Sequence, residues 1–451
     1  MSLTMNNIKT FPMGGVHPAE NKITADKSIE KLAVPKQVAI PISQHIGAPA
    51  KPVVEQREKV KVGQVIATSA GFVSTNIHAT IAGTVAKIDK VMDSTGYKRD
   101  AIIIKAGKEE EEWAEGIDLS DELVKDFTLE KDEIIKKVLE AGIVGLGGAT
   151  FPSHVKLSVP KGRKAEYLIL NGVECEPYLT ADHRLMLEKG EEIIVGAKIL
   201  MRALGVDKAI IGIEKNKPDA IEKMNQLVAE DNGITVQALK VQYPQGGEKQ
   251  LIKAALNREV PSGGLPIDVG VVVHNVGTAF AVYEAVQKNK PLVERVVTIT
   301  GKDVDKPSNL LVRIGTPVND LIENAGGIPD STGKVISGGP MMGKALNSVD
   351  VPIAKGTSGI LLIPNEEAKR GKMKVCIRCS KCVEVCPMGL EPYLLMTLTQ
   401  KELFKRVEED KVLDCIECGS CSFTCPSDRP LLDYIRLGKK TVASLIRERN
   451  N

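Results

Sequence analysis

Residues 376–387 read CIRCSKCVEVCP and residues 415–426 read CIECGSCSFTCP. Six of the twelve positions are identical, and both stretches follow C-x2-C-x2-C-x3-C-P. Three thiolates on one tight loop reach three irons on one face of a cubane. The fourth iron then takes a ligand from elsewhere, which in the two-cluster arrangement is the last cysteine of the other stretch. One ligand set is therefore Cys376, Cys379, Cys382 and Cys425, and the other is Cys415, Cys418, Cys421 and Cys386. Zinc is the competing reading, but zinc favours two separated cysteine pairs. Two tight sets of four, each ending Cys-Pro, match that poorly. Crossed ligation places both 4Fe-4S clusters in one compact unit, with residues 391–414 reading as a joining helix.

This spacing resembles that of bacterial ferredoxins with two 4Fe-4S clusters. Only Cys175 of the nine cysteines lies outside residues 376–425, unlike a secreted disulfide scaffold. MSLTMNNIKTF at the start has no apolar core, so a cell interior is expected. The 451 residues suggest about three domains. Sixty Lys+Arg against 58 Asp+Glu leave +2, which argues against binding nucleic acid through bulk phosphate neutralisation. The longest apolar run, residues 269–283, is broken by His274 and Asn275 and is too short to span a bilayer.

Outward from the cysteines the chain divides into segments. Residues 1–35 read as a polar extended arm containing FPMGGVHPAENK. Residues 36–106 hold short β-branched runs split by Gly and Pro, and resemble the barrel-sandwich domains of lipoyl and biotinyl carriers. Those carriers present a modifiable lysine at a hairpin tip. GFVSTNIHAT at 71–80 has none, so a structural or docking module is expected. Residues 107–130, with KEEEEW and Trp113, read as a solvated linker. Residues 131–290 alternate strands and helices, as in α/β folds with a mostly parallel sheet. Residues 291–350 turn strand-rich, and from 366 to 451 the chain becomes helical and Lys-, Glu- and Cys-rich. The expected class is multidomain, α/β and β, with a helical ferredoxin-like end.

The α/β segment opens with AGIVGLGGATFPSHVKL at 141–157. Its glycines let backbone N–H groups approach a phosphate or a flat ring. It is not the dinucleotide fingerprint, because it follows a helix and Thr150 stands where the third glycine belongs. GLGGATFPSHVKL resembles the flavin loop GRGGAGFPTGLKW of the NADH-oxidising flavoprotein subunit of respiratory complex I. NGVECEPY at 171–178 resembles that family's NADESEPG, YPQGGEKQLI at 243–252 its YICGEETALI, and VHNVGT at 273–278 its VNNVET. The four segments occur in the family's order.

The resemblance implies an FMN site. Gly145, Gly147, Gly148 and Lys156 are expected along the flavin and its phosphate. Asn171, Glu174, Tyr243, Gly246, Asn275 and Thr278 complete the pocket, and Phe151, Glu176 and Glu248 are candidates for contact with NAD(H). A lysine supplies a cation for phosphate, and a carboxylate accepts a hydrogen bond from ring or ribose. Leu146 replaces the family's Arg, Thr150 and His154 replace glycines, and Gly247 replaces the first Glu of GEE. These departures bear on nucleotide affinity more than on flavin. Cys175 reads as a buried small residue, and His154 and His183 as rim or structural residues.

Residues 291–346 resemble the soluble ligand-binding β-grasp module that follows the flavin domain in that family. The whole order (arm, barrel, flavin domain, β-grasp module, paired clusters) resembles the C-subunit family of Rnf electron transport complexes. The resemblance implies a peripheral redox subunit on the cytoplasmic face of the cell membrane, partnered by other subunits of an ion-translocating ferredoxin:NAD oxidoreductase complex. The implied role is hydride exchange between NAD(H) and FMN and relay of single electrons through two 4Fe-4S clusters. Catalysis is by cofactors, with no side-chain nucleophile. A cobalamin reductase shares the flavin domain and paired clusters, but the arm and barrel favour the Rnf family. A non-catalytic iron–sulfur relay or scaffold remains the alternative that the missing Arg and Glu leave open. The basic tail RLGKKTVASLIRERN reads as a solvated helix docking on a partner.

Overall fold

The computed structural model describes residues 8–107 and 111–450. The start of the chain and Lys108–Glu110 of the KEEEEW run lie outside the described residues.

The first unit is built from alternating short strands. Gln37–Pro41, Lys98–Ala106, Gly83–Met92 and Lys59–Val60 form one antiparallel sheet, and Lys51–Pro52, Val65–Thr68 and Ile77–His78 a second. Val38, Ile40, Ile66, Ile102 and Ile104 interdigitate between them and are fully buried. The β-branched residues that give the strands their propensity also fill the core.

The α/β unit has a parallel sheet in the order Ile234–Leu239, Ala209–Glu214, Tyr167–Asn171, Val271–Asn275. Strand alternation sends Leu168, Leu170 and Val272 to one face, against helices Lys131–Glu140, Gly190–Leu204 and Val276–Gln287. Ile169, Val271 and Val273 go to the other face, against Glu248–Leu256. The chain leaves Tyr167–Asn171 in one direction and returns to its other side with Val271–Asn275. That reversal opens a crevice beyond the carboxyl ends of these two strands, where open α/β sheets bind ligands.

A six-stranded mixed sheet follows, in the order Ile29–Lys31, Ser308–Arg313, Glu294–Thr300, Gly359–Pro364, Thr332–Ser337, Lys344–Ala345. Two of its strands lie outside residues 291–350. Ile29–Lys31 of the arm pairs parallel with Asn309–Leu311, and Gly359–Pro364 pairs with Thr298–Thr300 near the middle. Neither shows in local periodicity, because a three-residue edge strand and a short apolar run carry little of it.

In the last unit, residues 391–414 do not form one helix. Pro392–Gln400 stops where Glu402 takes φ 57° and the Leu403 N–H closes back on the Leu398 carbonyl at 3.0 Å. The break lets Leu395, Met396, Val407 and Val412 share one core with Leu431 and Ile435 of the last helix, Leu431–Asn450. Residues 111–130 are not a free linker either. The Arg313 guanidinium lies 4.7 Å above the Trp113 ring, and Lys288 pairs with Asp118 at 2.6 Å. Among the described residues no helix is long and apolar enough to cross a membrane.

Candidate redox site

Asn171 and Asn275 are register partners at the ends of their strands, so the crevice begins between them. Asn275 caps helix Val276–Gln287, its Oδ1 accepting from Gly277 N at 2.8 Å. Its Nδ2 donates to Asp182 Oδ2 at 2.6 Å and to the Asn171 carbonyl at 3.3 Å. Asn171 Nδ2 donates to the Gly246 carbonyl at 2.8 Å. The glycine loop folds over the same place. Leu146 N donates to Thr278 Oγ1 at 3.0 Å, and Gly145 N to the Phe151 carbonyl at 2.9 Å. A Cβ at Gly147 would stand 2.6 Å from Asn275 Nδ2, whereas one at Gly148 would meet nothing within 4 Å. Glycine is thus required at 147 by the asparagine behind it, and at 148 the loop presents bare backbone outward. Lys156 Nζ bonds Glu248 Oε1 at 2.8 Å and the Val273 carbonyl at 3.0 Å. The structure brings these residues round one crevice.

Three candidates are engaged elsewhere: Tyr243, buried and bonded through its hydroxyl to the Cys418 carbonyl, Glu174 and Glu176. The Glu174 carboxylate accepts from Asp182 N and His183 N at 2.8 and 3.1 Å, capping helix Ala181–Glu188. The Glu176 carboxylate accepts from Met341 N and Met342 N at 3.1 and 2.7 Å, holding a loop of the six-stranded sheet. Burial pushes Glu176 up to about 7, against the pull of those N–H groups. Burial, then the neighbouring Glu174, pushes Asp182 up to about 7 as well. Cys175 bonds Gly246 N, and burial pushes its thiol well up, so it is no ready nucleophile.

Sequence reading missed several residues. Asp182 has no family motif around it. Arg295, buried on strand Glu294–Thr300, donates Nη1 to the Leu146 carbonyl at 3.3 Å. A guanidinium thus reaches the glycine loop from a distant strand, although Leu146 replaces the family's Arg. Lys22 of the arm donates to the carbonyls of Glu174, Glu176 and Leu179 at 2.8, 2.9 and 2.6 Å. Phe72, at the barrel tip that carriers would modify, stands edge-on to His154 with centroids 6.1 Å apart. Its carbonyl lies 2.9 Å from His154 Nε2, which must therefore be the donor. His183 instead bonds Asp219 at 2.8 Å. Among the described residues, Ser153 Oγ and His274 Nε2, buried beside the crevice, have no partner. In a native core such atoms await a polar ligand or water.

The cysteine stretches adopt matching backbones. The third and fifth residues of each, Arg378 and Ser380, Glu417 and Gly419, are left-handed, and each stretch continues into one helical turn, Lys381–Glu384 and Ser420–Phe423. Cys386, Cys415, Cys418 and Cys421 line one cavity closed by Leu390, Leu395 and other apolar residues. Burial, then the crowding of Cys418, Cys415 and Cys386, pushes the Cys421 thiol up. Burial, followed by Cys425 and Cys376, does the same to Cys382. This donor chemistry, four thiols lining one apolar cavity, fits an iron–sulfur cubane. The second set faces the crevice, where Tyr243 Oη donates to the Cys418 carbonyl at 2.7 Å. Val16, Tyr243, Cys418, Cys175 and Met341 share one apolar cluster. The first set faces outward, with Cys379 exposed.

Known proteins resemble every part of this arrangement. The RnfC barrel sandwich hybrid domain matches residues 9–109, and the Nuo51 FMN-binding domain residues 138–284. The SLBB domain matches residues 296–345 and the 4Fe-4S dicluster domain residues 368–426. The chain is 49% identical over 432 residues to the C-subunit of the proton-translocating ferredoxin:NAD(+) oxidoreductase complex of Clostridium ljungdahlii, covering 95% of this chain and 93% of that protein. It is 44% identical over 442 residues to the C-subunit of the Na(+)-translocating ferredoxin:NAD(+) oxidoreductase complex of Acetobacterium woodii, covering 97% and 98%. Among solved structures, an air-oxidized NAD+-reducing [NiFe]-hydrogenase aligns with TM-score 0.47 at 20% identity over 62% of this chain and 54% of the other.

Proposed function

Because the chain belongs to the C-subunit family of ion-translocating ferredoxin:NAD(+) oxidoreductase complexes, we propose that it is the subunit at which such a complex exchanges electrons with NAD(H). It is an oxidoreductase subunit, and its cofactors are FMN and 4Fe-4S clusters. When bound, FMN supplies hydride exchange with NAD(H) and the clusters supply one-electron transfer. The chain's residues bind and position.

Gly145, Gly147 and Gly148 present backbone to the flavin, Lys156 offers a cation to its phosphate, and Asn171, Gly246, Asn275 and Thr278 line the crevice. Glu248, held by Lys156, and Phe151 are offered to the nicotinamide nucleotide. Glu174 and Glu176 shape the loop between them and act through it. Cys376, Cys379, Cys382 and Cys425 hold one cluster, and Cys415, Cys418, Cys421 and Cys386 the other. The observation that carries the reading is the Tyr243 bond to the Cys418 carbonyl. It sets the second cysteine set directly behind a crevice-lining loop, and leaves the first at the surface for a partner subunit. We place the chain peripherally, on the cytoplasmic face of the membrane. The named relatives differ in their coupled ion, and none of the crevice or cysteine residues selects one.

The test is anaerobic purification, reconstitution with iron, sulfide and FMN, and absorbance during NADH addition. Bleaching of both the flavin band and the broad cluster band is expected. Cluster absorbance with no flavin retained, and no response to NADH, would leave a relay subunit instead.

A further inference from the structure

Arg295 is a buried cation whose charge no carboxylate meets. Its Nη1 donates to the carbonyls of Leu146, at 3.3 Å, and of Lys355, and its Nε to that of Val296 at 3.2 Å. Among the described residues it forms no ion pair, and the carboxylates beside it are committed. Glu294 pairs with Lys290 and Arg313. Asp182, which faces Arg295, is bonded to Asn275, and burial pushes it up to about 7, so near neutrality it is a weak counter-charge. Lys156, by contrast, has Glu248 at 2.8 Å. Burial draws the Arg295 guanidinium down to about 10, with only Asp182 opposing. A buried charge without a counter-charge is costly. A fold that needed only a hydrogen bond to the Leu146 carbonyl could use a neutral donor.

The peptide that Arg295 holds is the second observation. The Leu146–Gly147 bond is trans, so the Gly147 N–H points opposite to the Leu146 carbonyl, away from Arg295. Gly147 is exposed beside Asn275, and its N–H, like that of Gly148, has no partner among the described residues. A carbonyl drawn toward a cation polarises its peptide and strengthens the N–H as a donor. Arg295 thus aims and charges one donor of the glycine loop.

A hydride carries two electrons and one proton. A flavin that accepts it from NADH therefore gains one negative charge, until water supplies a further proton. Donors fixed in advance where charge develops stabilise it most. Resting on the flavin reading above, we propose that Arg295 is a positioning residue of the redox site. Through the Leu146 carbonyl it turns the Gly147 N–H toward the flavin ring, and its buried charge makes the site favour the ring's added negative charge. Lys156 keeps the phosphate, and Arg295 serves the ring.

The test compares the full chain, reconstituted with iron and sulfide, with R295Q and R295K, using FMN and riboflavin as probes and reading the potential of the bound flavin. In R295Q the preference for reduced over oxidised flavin is expected to fall at least about tenfold. For a two-electron couple that is a potential lower by about 30 mV. The drop should be the same with riboflavin as with FMN, at unchanged iron per chain. R295K returns a cation without the fork and should recover most of the preference. A purely structural role would leave the two variants alike. Should R295Q fail to fold, hydrogen exchange in the parent decides. Residues 146–150 should exchange more slowly with riboflavin bound, and more slowly again once it is reduced. The parent's potential in R295Q, two variants alike, or exchange at 146–150 indifferent to flavin would each overturn the proposal. So would an effect seen with FMN alone, which would put the charge at the phosphate. The outcome is separable from the flavin reading. FMN retained and bleached by NADH, with an unchanged potential in R295Q, would sink this role alone, whereas a parent chain that retains no flavin would sink the crevice assignment itself.

Discussion

At the scale of single residues, the crevice depends on small side chains and buried carboxyls. Gly147→Val is the sharpest probe, since its first added carbon collides with Asn275. The variant should lose most of its FMN, measured by fluorescence after denaturation, while keeping the parent's iron per chain. Full flavin retention would mean that the glycine loop does not hold it. Glu176 gives a pH signature. Its folded pKa, about 7, lies above the ordinary 4.5 because burial outweighs the N–H groups of Met341 and Met342, with Lys22 and Tyr243 facing it. Between those values the folded state holds a proton the unfolded chain has released, so stability falls as pH rises. Compared with Glu176→Gln, the parent should lose thermal stability from pH 5 to pH 8, by on the order of 1–3 kcal/mol. An unchanged difference across that range would show that the carboxyl stays ionised. The residues that sequence singles out here are those in contiguous motifs. Asp182 and Arg295 act through pairings that no window of sequence contains.

At the scale of elements, the cysteine spacing, the parallel-sheet alternation and the barrel were legible, because each is a local repeat tied to a geometry. Long-range closure was not. The arm strand Ile29–Lys31 meets a partner 280 residues away, Ile29 opposite Asn309, and the connector after Pro392 breaks for a core that only folding assembles. Lys22 illustrates the consequence. Polar and lost in an aperiodic arm, it nevertheless supplies three donors to the loop that carries Glu174, Cys175 and Glu176. Burial, then the charge on Lys217, lowers it to about 8. Lys22→Met keeps the length but leaves those carbonyls unpaired, at about 1–3 kcal/mol per buried orphan. The expected result is faster hydrogen exchange confined to residues 171–180 and weaker FMN retention. Exchange equal to the parent's would show that the loop stands without the arm.

At the scale of the whole molecule, the arm is what makes the units one electron-transfer body. The Gly15 N–H bonds the Val385 carbonyl beside Cys386, and Val16 pairs with Tyr243 through backbone bonds of 2.8 and 2.9 Å. A single strand of chain therefore bridges the cysteine domain to the crevice-lining loop, and Gly14 is its closest approach. Gly14 has φ 75°, and a Cβ there would lie 2.7 Å from the Cys386 carbonyl carbon. Gly14→Val adds both left-handed strain and a collision with the backbone of Cys386, at the seam where the arm meets the inner cysteine set. Because electron transfer rates fall steeply with separation while flavin binding does not, FMN content should match the parent's, and the rates are compared at equal iron per chain. In stopped-flow absorbance with NADH, the flavin band should bleach as in the parent and the cluster band at least about tenfold more slowly. Limited proteolysis should cut more readily between the six-stranded sheet and Cys376. Cluster bleaching at the parent's rate would show that the Tyr243 contact with Cys418 holds the two units in register without the arm.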